Sequence, residues 1–326
     1  MLASELSNLH LSDNGRVDGV AEPLLPAQRI APDCWAARPP FTALPVGLYE
    51  KALPAGWPWE QRLAAAAAAG YAFVEISIDE SAERLARLDW PAAARADLRR
   101  SIAATGVPIQ TMCLSGHRKY PLGSRSPEVR ARAEAIMRQA IEFAVDVGVR
   151  IVQVAGYDVF YEASDDSTAA RFIDGLCRAA EWAGQAGVML ALENVDVPVT
   201  ESLARCLTIV RQVDSLWFQV YPDMANVAAA GYDPAAELAQ CNGRLVALHI
   251  KDSLPGTIRR VPFGAGIVPF EQVFCTLAAM NYHGPLVVEM WADPNEADSV
   301  ATVRSARRFV ADLVDRTYPA LARAAW

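Results

Sequence analysis

Histidine is scarce in this chain, with four among 326 residues. Its six cysteines (Cys34, Cys113, Cys177, Cys206, Cys241 and Cys275) are scattered, and no CxxC occurs. That argues against a cysteine metal centre and, at this length, against a disulfide framework. The cysteines read as free thiols in a reducing compartment, mostly filling core. Positive charge is not in excess. The net charge is -8 and the pI about 5.1, so neither nucleic acid nor an anionic membrane is expected as the main partner, since both ask for a basic surface. The N-terminal stretch MLASELSNLHLSDNGR has no basic n-region and no long apolar run, and the apolar segment Leu63–Val74 is too short to span a bilayer. A cytoplasmic protein is expected. The first predicted strand is followed by LYEKALPAG, not GxGxxG, which removes the best marker of a dinucleotide-binding sheet.

What is present is a core-forming chain, 52% hydrophobic and 21% charged. Residues 1–44 stand apart, because Pro23, Pro26, Pro32, Pro39 and Pro40 interrupt any long helix or central strand. They read as an extension that drapes over the domain or is partly mobile, with His10 a surface residue. From Pro45 the pattern becomes regular. Strands are predicted at Val46–Tyr49, Ala72–Ile76, Pro108–Cys113, Arg150–Val154, Val188–Glu193, Trp217–Tyr221, Leu245–Ile250 and Leu286–Glu289. Helices are predicted between and after them at Trp59–Ala69, Ser81–Leu88, Ala92–Thr105, Pro127–Val147, Ala169–Ala186, Glu201–Val213, Pro234–Gln240, Phe270–Met280 and Glu296–Val314. Eight strands alternating with helices predict a single (β/α)8 TIM barrel over residues 45–326.

In such a barrel the functional groups sit where strands end and lead into helices. The predicted strands five to eight end on Glu193 in LALENVD, Asp223 in QVYPDMAN, His249 in VALHIKD and Glu289 in LVVEMW. A single acidic residue at a strand end is commonly a helix cap or ion-pair partner, and a lone histidine is commonly structural. Four in order on successive strands, which lie only about 5 Å apart, are placed to converge on one ion. Three carboxylates and one imidazole suit a single divalent metal ion, Mn²⁺, Mg²⁺, Co²⁺ or Zn²⁺.

The segments VGLYEKALP, FVEISIDES, ARLDW, MCLSGHRKYPLGS, VQVAGYDVFYE, WFQVYPDMAN, VALHIKDSLPG, VPFGAGIV and VVEMW together resemble the L-ribulose-5-phosphate 3-epimerase family. That family is also described as L-xylulose-5-phosphate 3-epimerase or hexulose-6-phosphate isomerase-like, and belongs to the xylose-isomerase-like TIM barrels. The resemblance runs from about Pro45 to Val314. It implies that Glu193, Asp223, His249 and Glu289 are the metal ligands and that Glu193 and Glu289 are also the acid/base pair. The implied activity interconverts L-ribulose 5-phosphate and L-xylulose 5-phosphate, one carboxylate removing the C3 proton and the other returning it on the opposite face. A homo-oligomer, with a dimer foremost, is implied as well.

Further residues are expected to bind substrate. Lys251 lies two after His249 and so shares its face on an extended chain; it neutralises an enediolate, holds phosphate or pairs with Asp252. His117 and Arg118, with Lys119, form a basic cluster near the rim, and Arg259 and Arg260 form another. Glu75 ends the second strand and is expected to bond a sugar hydroxyl or to orient His249. Asn226 stands where free-ketose 3-epimerases carry histidine, and Trp291 walls the pocket or packs. His283 falls at the opposite end of the barrel. The alternatives are an aldose–ketose isomerase or an epimerase of another ketose or hexulose phosphate, a metal-dependent apurinic endonuclease-like barrel, and a non-catalytic sugar-binding barrel. Few histidines and a low pI oppose the nuclease; the presence of both Glu193 and Glu289 opposes mere binding.

Overall fold

The apolar runs form strands because each is buried on both faces, as a parallel sheet sheathed in helices requires; all six residues of Phe73–Ile78 are buried. A computed structural model describes residues 44–293 and 298–318. The expected extension, residues 1–44, lies outside them except for Leu44. In chain order the strands are β1 (Val46–Tyr49), β2 (Phe73–Ile78), β3 (Ile109–Leu114), β4 (Ile151–Ala155), β5 (Met189–Glu193), β6 (Phe218–Val220), β7 (Leu248–Ile250), β8 (Asp252–Leu254), β9 (Thr257–Val261) and β10 (Leu286–Val288). Eight of them form one parallel sheet in the order β6-β5-β4-β3-β2-β1-β10-β7. Parallel bridges from Val220 to Leu245 and from Asp223 to His249 join β6 to β7 and close the barrel.

The helices are α1 (Trp59–Ala68), α2 (Ala82–Leu85), α3 (Ala92–Thr105), α4 (Pro127–Val147), α5 (Asp166–Ala186), α6 (Leu203–Val213), α7 (Met224–Ala229), α8 (Pro234–Ala239), α9 (Phe270–Ala279) and α10 (Ser299–Thr317). Their ends follow the local chemistry. The Ser126 hydroxyl accepts from the Val129 N–H with Pro127 at the first helical position, and α4 stops at Gly148 in the left-handed region (φ 93°). Asp165 and Thr168 form a reciprocal capping box on α5. Among the described residues no helix is long and apolar enough to cross a membrane.

Two cores result. The larger lies between strands and helices. The smaller fills the barrel with Phe73, Ile151, Ala191, Ala247 and Val287, and is topped by Tyr49, Cys113 and Tyr221. Gly47 is required here, since a Cβ would stand 2.2 Å from the Phe73 ring. Two features differ from the sequence reading. The loop after β7 folds into the antiparallel hairpin β8–β9. Asp252 anchors it by accepting from the backbone N–H of Gly264 and Gly266, each at 2.9 Å. Directly after Asp223 the chain enters the short helix α7, for which Asp223 is the N-cap.

Candidate active site and metal centre

Each of the four strand-end residues is positioned by its own local structure. Glu193 is the last residue of β5, and the Gln153 amide on β4 donates to its Oε2. Asp223 spends one oxygen on its cap: Oδ1 accepts from the N–H of Ala225 (2.8 Å) and Asn226 (3.1 Å). Its other oxygen, Oδ2, therefore points inward. Asn194 clamps the Asp223 backbone from both sides, accepting from its N–H at 2.7 Å and donating to its C=O at 3.1 Å. His249 lies within β7, and Glu289 follows β10 by one residue. All four are buried, and one potential ligand atom from each falls within 4.8 Å of every other. His249 Nδ1 lies 2.8 Å from Glu193 Oε1 and 3.8 Å from Glu289 Oε2.

This cluster fits a divalent cation. Glu193, Asp223 and Glu289, with Glu75 behind them, bring four buried carboxylates to one place. Lys251 opposes them, 2.5 Å from Asp223 Oδ2 and 2.9 Å from Glu289 Oε2. Those two oxygens, buried and otherwise without a donor, are the pair a cation would take up. Burial disfavours charge on Lys251, yet Asp223, Glu289 and Glu193 hold it protonated and raise its pKa. The carboxylates are unequal. Burial drives Glu193 upward, with Glu289 and Asp223 adding to the rise and the bond to His249 only partly offsetting it. For Glu289 burial acts in the same sense but is outweighed by Lys251 and His249, and its pKa falls.

Two members of the cluster, Glu193 and Glu289, line a cavity of about 310 Å³. Tyr49, Cys113 and Trp291 supply apolar wall; Asp79, Glu80 and Asp196 supply acidic groups; and Lys51, Arg118, Lys251 and Arg259 supply positive charge. The Trp291 ring stands edge-on to Tyr49 (6.0 Å) with Lys251 and Arg259 at 5.8 and 5.7 Å from its centroid. Asn226 also lines the cavity, its amide donating to Asn194 C=O (2.9 Å) while its carbonyl accepts from Lys251 (3.2 Å). Arg118 lies on the rim, bonded to Tyr157 Oη (2.9 Å) and 5.1 Å from the centroids of both the Tyr157 and Phe160 rings.

Other expected residues have surroundings that differ from those the sequence suggests. Glu75 is not at the end of β2 but within it, wholly buried, and touches His249 instead of open space. Lys251 pairs with Asp223 and Glu289, not with Asp252, which turns to the opposite face and holds the hairpin. Arg260 faces a neighbouring pocket bounded by Lys51, Arg84 and Trp291. His117 points away, into α4, where its Nε2 meets the Ala133 carbonyl at 3.1 Å. Burial lowers the His117 pKa from 6.5 to about 4, so the imidazole is neutral and is no anion ligand. Its contribution to stability is complete above pH 6.5 and is lost as pH falls toward 4, amounting to about 3 kcal/mol. Urea unfolding of His117→Gln, which keeps a donor for Ala133, is expected to show a flatter acid limb than the wild type over that interval. Tyr49, Gln153, Asn194 and Tyr221 went unnoticed in the sequence, where each looks like an ordinary strand or loop residue.

A family described as xylose isomerase-like TIM barrel matches residues 63–313. The L-ribulose-5-phosphate 3-epimerase UlaE of Escherichia coli O157:H7 is 47% identical over 267 residues, covering 82% of this chain and 94% of that protein. The protein of the same name from Salmonella paratyphi A is 46% identical with the same coverage. Among solved structures, an L-ribulose 3-epimerase gives a TM-score of 0.71 at 20% identity over 87% of this chain and 99% of that one. A D-allulose 3-epimerase from Methylomonas sp. in complex with D-allulose gives 0.69 at 18% identity, over 82% and 96%. These structural likenesses establish the barrel.

Proposed function

The chain belongs to the xylose isomerase-like TIM barrel family, beside the L-ribulose-5-phosphate 3-epimerases, and on that premise we propose that it is a sugar-phosphate 3-epimerase interconverting L-ribulose 5-phosphate and L-xylulose 5-phosphate. The observation that carries the proposal is the meeting of Glu193 and Glu289 in one buried cluster. They come from barrel strands with two others between them, so a sugar lying over the cluster has a carboxylate on either side.

Glu193, Asp223, His249 and Glu289 are the residues that would hold one divalent metal ion, Mn²⁺, Zn²⁺, Mg²⁺ or Co²⁺. Bound there, the ion supplies a Lewis acid that stabilises the negative charge left when the C3 proton departs. The chain's own groups do the rest. One glutamate takes the C3 proton, giving a cis-enediolate, and the other delivers a proton to the opposite face. The contact with Lys251 favours the ionised, proton-accepting form of Glu289, whereas Glu193 has no such contact and is the readier proton carrier. In the reverse reaction the roles exchange. Lys251 stands where it can also stabilise an oxyanion of the substrate. Lys51, Arg118 and Arg259 line the cavity and are the groups that would meet the phosphate, Lys51 being paired with Asp79 (2.6 Å) and Arg118 with Glu80 (3.7 Å) in the structure, and Trp291 and Asn226 bound the sugar.

The decisive experiment is incubation with L-ribulose 5-phosphate and Mn²⁺ in D₂O. Deuterium at C3 together with the xylulo epimer is expected. Label at C1 would replace this reading by an aldose–ketose isomerase, and absence of exchange with any pentulose phosphate would remove both. The endonuclease alternative needs a multi-metal, histidine-rich cluster, whereas the one candidate cluster among the described residues contains a single histidine. The same reading makes the protein a cytoplasmic homodimer, and a monomeric mass in light scattering would strike out the dimer.

A further inference from the structure

Glu75 is a buried carboxylate that the proton transfers do not use. It sits within β2, its side chain has no exposed surface, and it does not line the cavity. Both of its oxygens are engaged. Oε1 lies 2.7 Å from His249 Nε2, and Oε2 accepts the Tyr221 hydroxyl at 2.7 Å. The Tyr221 ring in turn packs edge-on against the His249 ring, with centroids 4.7 Å apart.

We propose that Glu75 and Tyr221 are positioning residues that fix the tautomer and the orientation of His249 so that Nδ1 is presented to the metal site. A carboxylate accepts hydrogen bonds, so Nε2 carries hydrogen toward Glu75; Nδ1, 2.8 Å from Glu193 Oε1, would give up its own proton to offer a lone pair to a metal, as metal binding requires of a histidine ligand. Nδ1 is the nitrogen that faces Glu193 and Glu289. Tyr221, by donating to Oε2, keeps the carboxylate from swinging away. The pattern is carboxylate to imidazole to metal, in which the outer partner sets ligand basicity and geometry and its loss costs roughly 10- to 100-fold in metal affinity. The proposal rests on the reading of the cluster as a metal site.

The test uses the full chain with ¹⁵N-labelled histidine, titrated with Zn²⁺ by calorimetry and observed by NMR; four histidines make the imidazole spectrum tractable. For the Zn²⁺-loaded wild type, a His249 Nε2–H in slow exchange with water is expected. Glu75→Leu should weaken Zn²⁺ binding by about 10- to 100-fold and abolish that slowly exchanging proton. Glu75→Gln keeps an acceptor without the charge, so it should recover most of the affinity and retain the proton at a shifted resonance. Tyr221→Phe should fall between the wild type and Glu75→Leu. A folded Glu75→Leu protein with wild-type affinity and an unchanged Nε2–H would overturn the proposal. Should the leucine variant not fold, wild-type affinity and an unshifted resonance in both Glu75→Gln and Tyr221→Phe would overturn it equally. Wild-type protein that takes up no Zn²⁺ would bring down the metal reading and this proposal with it. Normal wild-type uptake with insensitive variants defeats this proposal alone.

Discussion

Glu193→Gln and Glu289→Gln are each expected to lower epimerisation by about 10²- to 10⁴-fold while leaving the barrel intact. Glutamine has nearly the shape of glutamate, so the contacts of Glu193 with His249 and Gln153 can be remade, but an amide neither takes nor gives the C3 proton. The sharper expectation concerns what remains. In a reaction with two bases, removing one leaves the other able to abstract a proton from the epimer whose C3–H points toward it. Each variant should therefore wash deuterium into C3 of one epimer, with retention of configuration, and the two variants should choose opposite epimers. Mass spectrometry of the two pentulose phosphates in D₂O, at saturating Mn²⁺, reads this directly. Exchange lost from both epimers in both variants would point to a shared ligand role without separate bases. Epimerisation kept in either variant would remove that residue from the pair.

The strand order and most of the helices were legible because their signals are local. Ser126–Pro127 and Gly148 mark both ends of α4 as the sequence reading placed them, and the run Val188–Leu192 ends on Glu193 as a buried parallel strand should. The four-residue cluster was legible for the same reason: in a barrel, strand ends share one rim. What escaped depends on facing and on pairing across distance. Glu75 looked like a strand end because the polar stretch after it resembled loop, yet β2 continues to Ile78 and turns Glu75 onto His249. The alternation that put Lys251 beside His249 also puts Asp252 on the other face, which excludes the ion pair between them. His117 carried the composition of an anion site, but the turn Gly116–Arg118 directs it into α4. In the β8–β9 hairpin β8 is only three residues long and β9 is largely exposed with no apolar alternation, so it gave no strand signal of its own.

Lys251→Met should separate stability from turnover. Lys251 is in contact with Asp223 Oδ2 and Glu289 Oε2. Removing one partner from a buried ion pair leaves uncompensated charge and costs about 3–5 kcal/mol. Chelator-treated Lys251→Met is thus expected to unfold at markedly lower urea concentration than chelator-treated wild type. A divalent cation bound by the same carboxylates offsets that charge, and its binding stabilises the fold in proportion to RT ln(1 + [L]/Kd). Adding Mn²⁺ should therefore return most of the lost stability, and the variant should gain more from Mn²⁺ than the wild type does. Turnover should not return with it. If Lys251 stabilises the oxyanion of the substrate, its loss costs about 10²- to 10³-fold in kcat even when the metal is saturating, as for the loss of one oxyanion donor. A metal-loaded Lys251→Met enzyme with wild-type kcat would reduce Lys251 to a counter-ion for the carboxylates it touches. Failure of Mn²⁺ to restore stability would instead mean that the carboxylates Lys251 touches are not the ones that receive the metal.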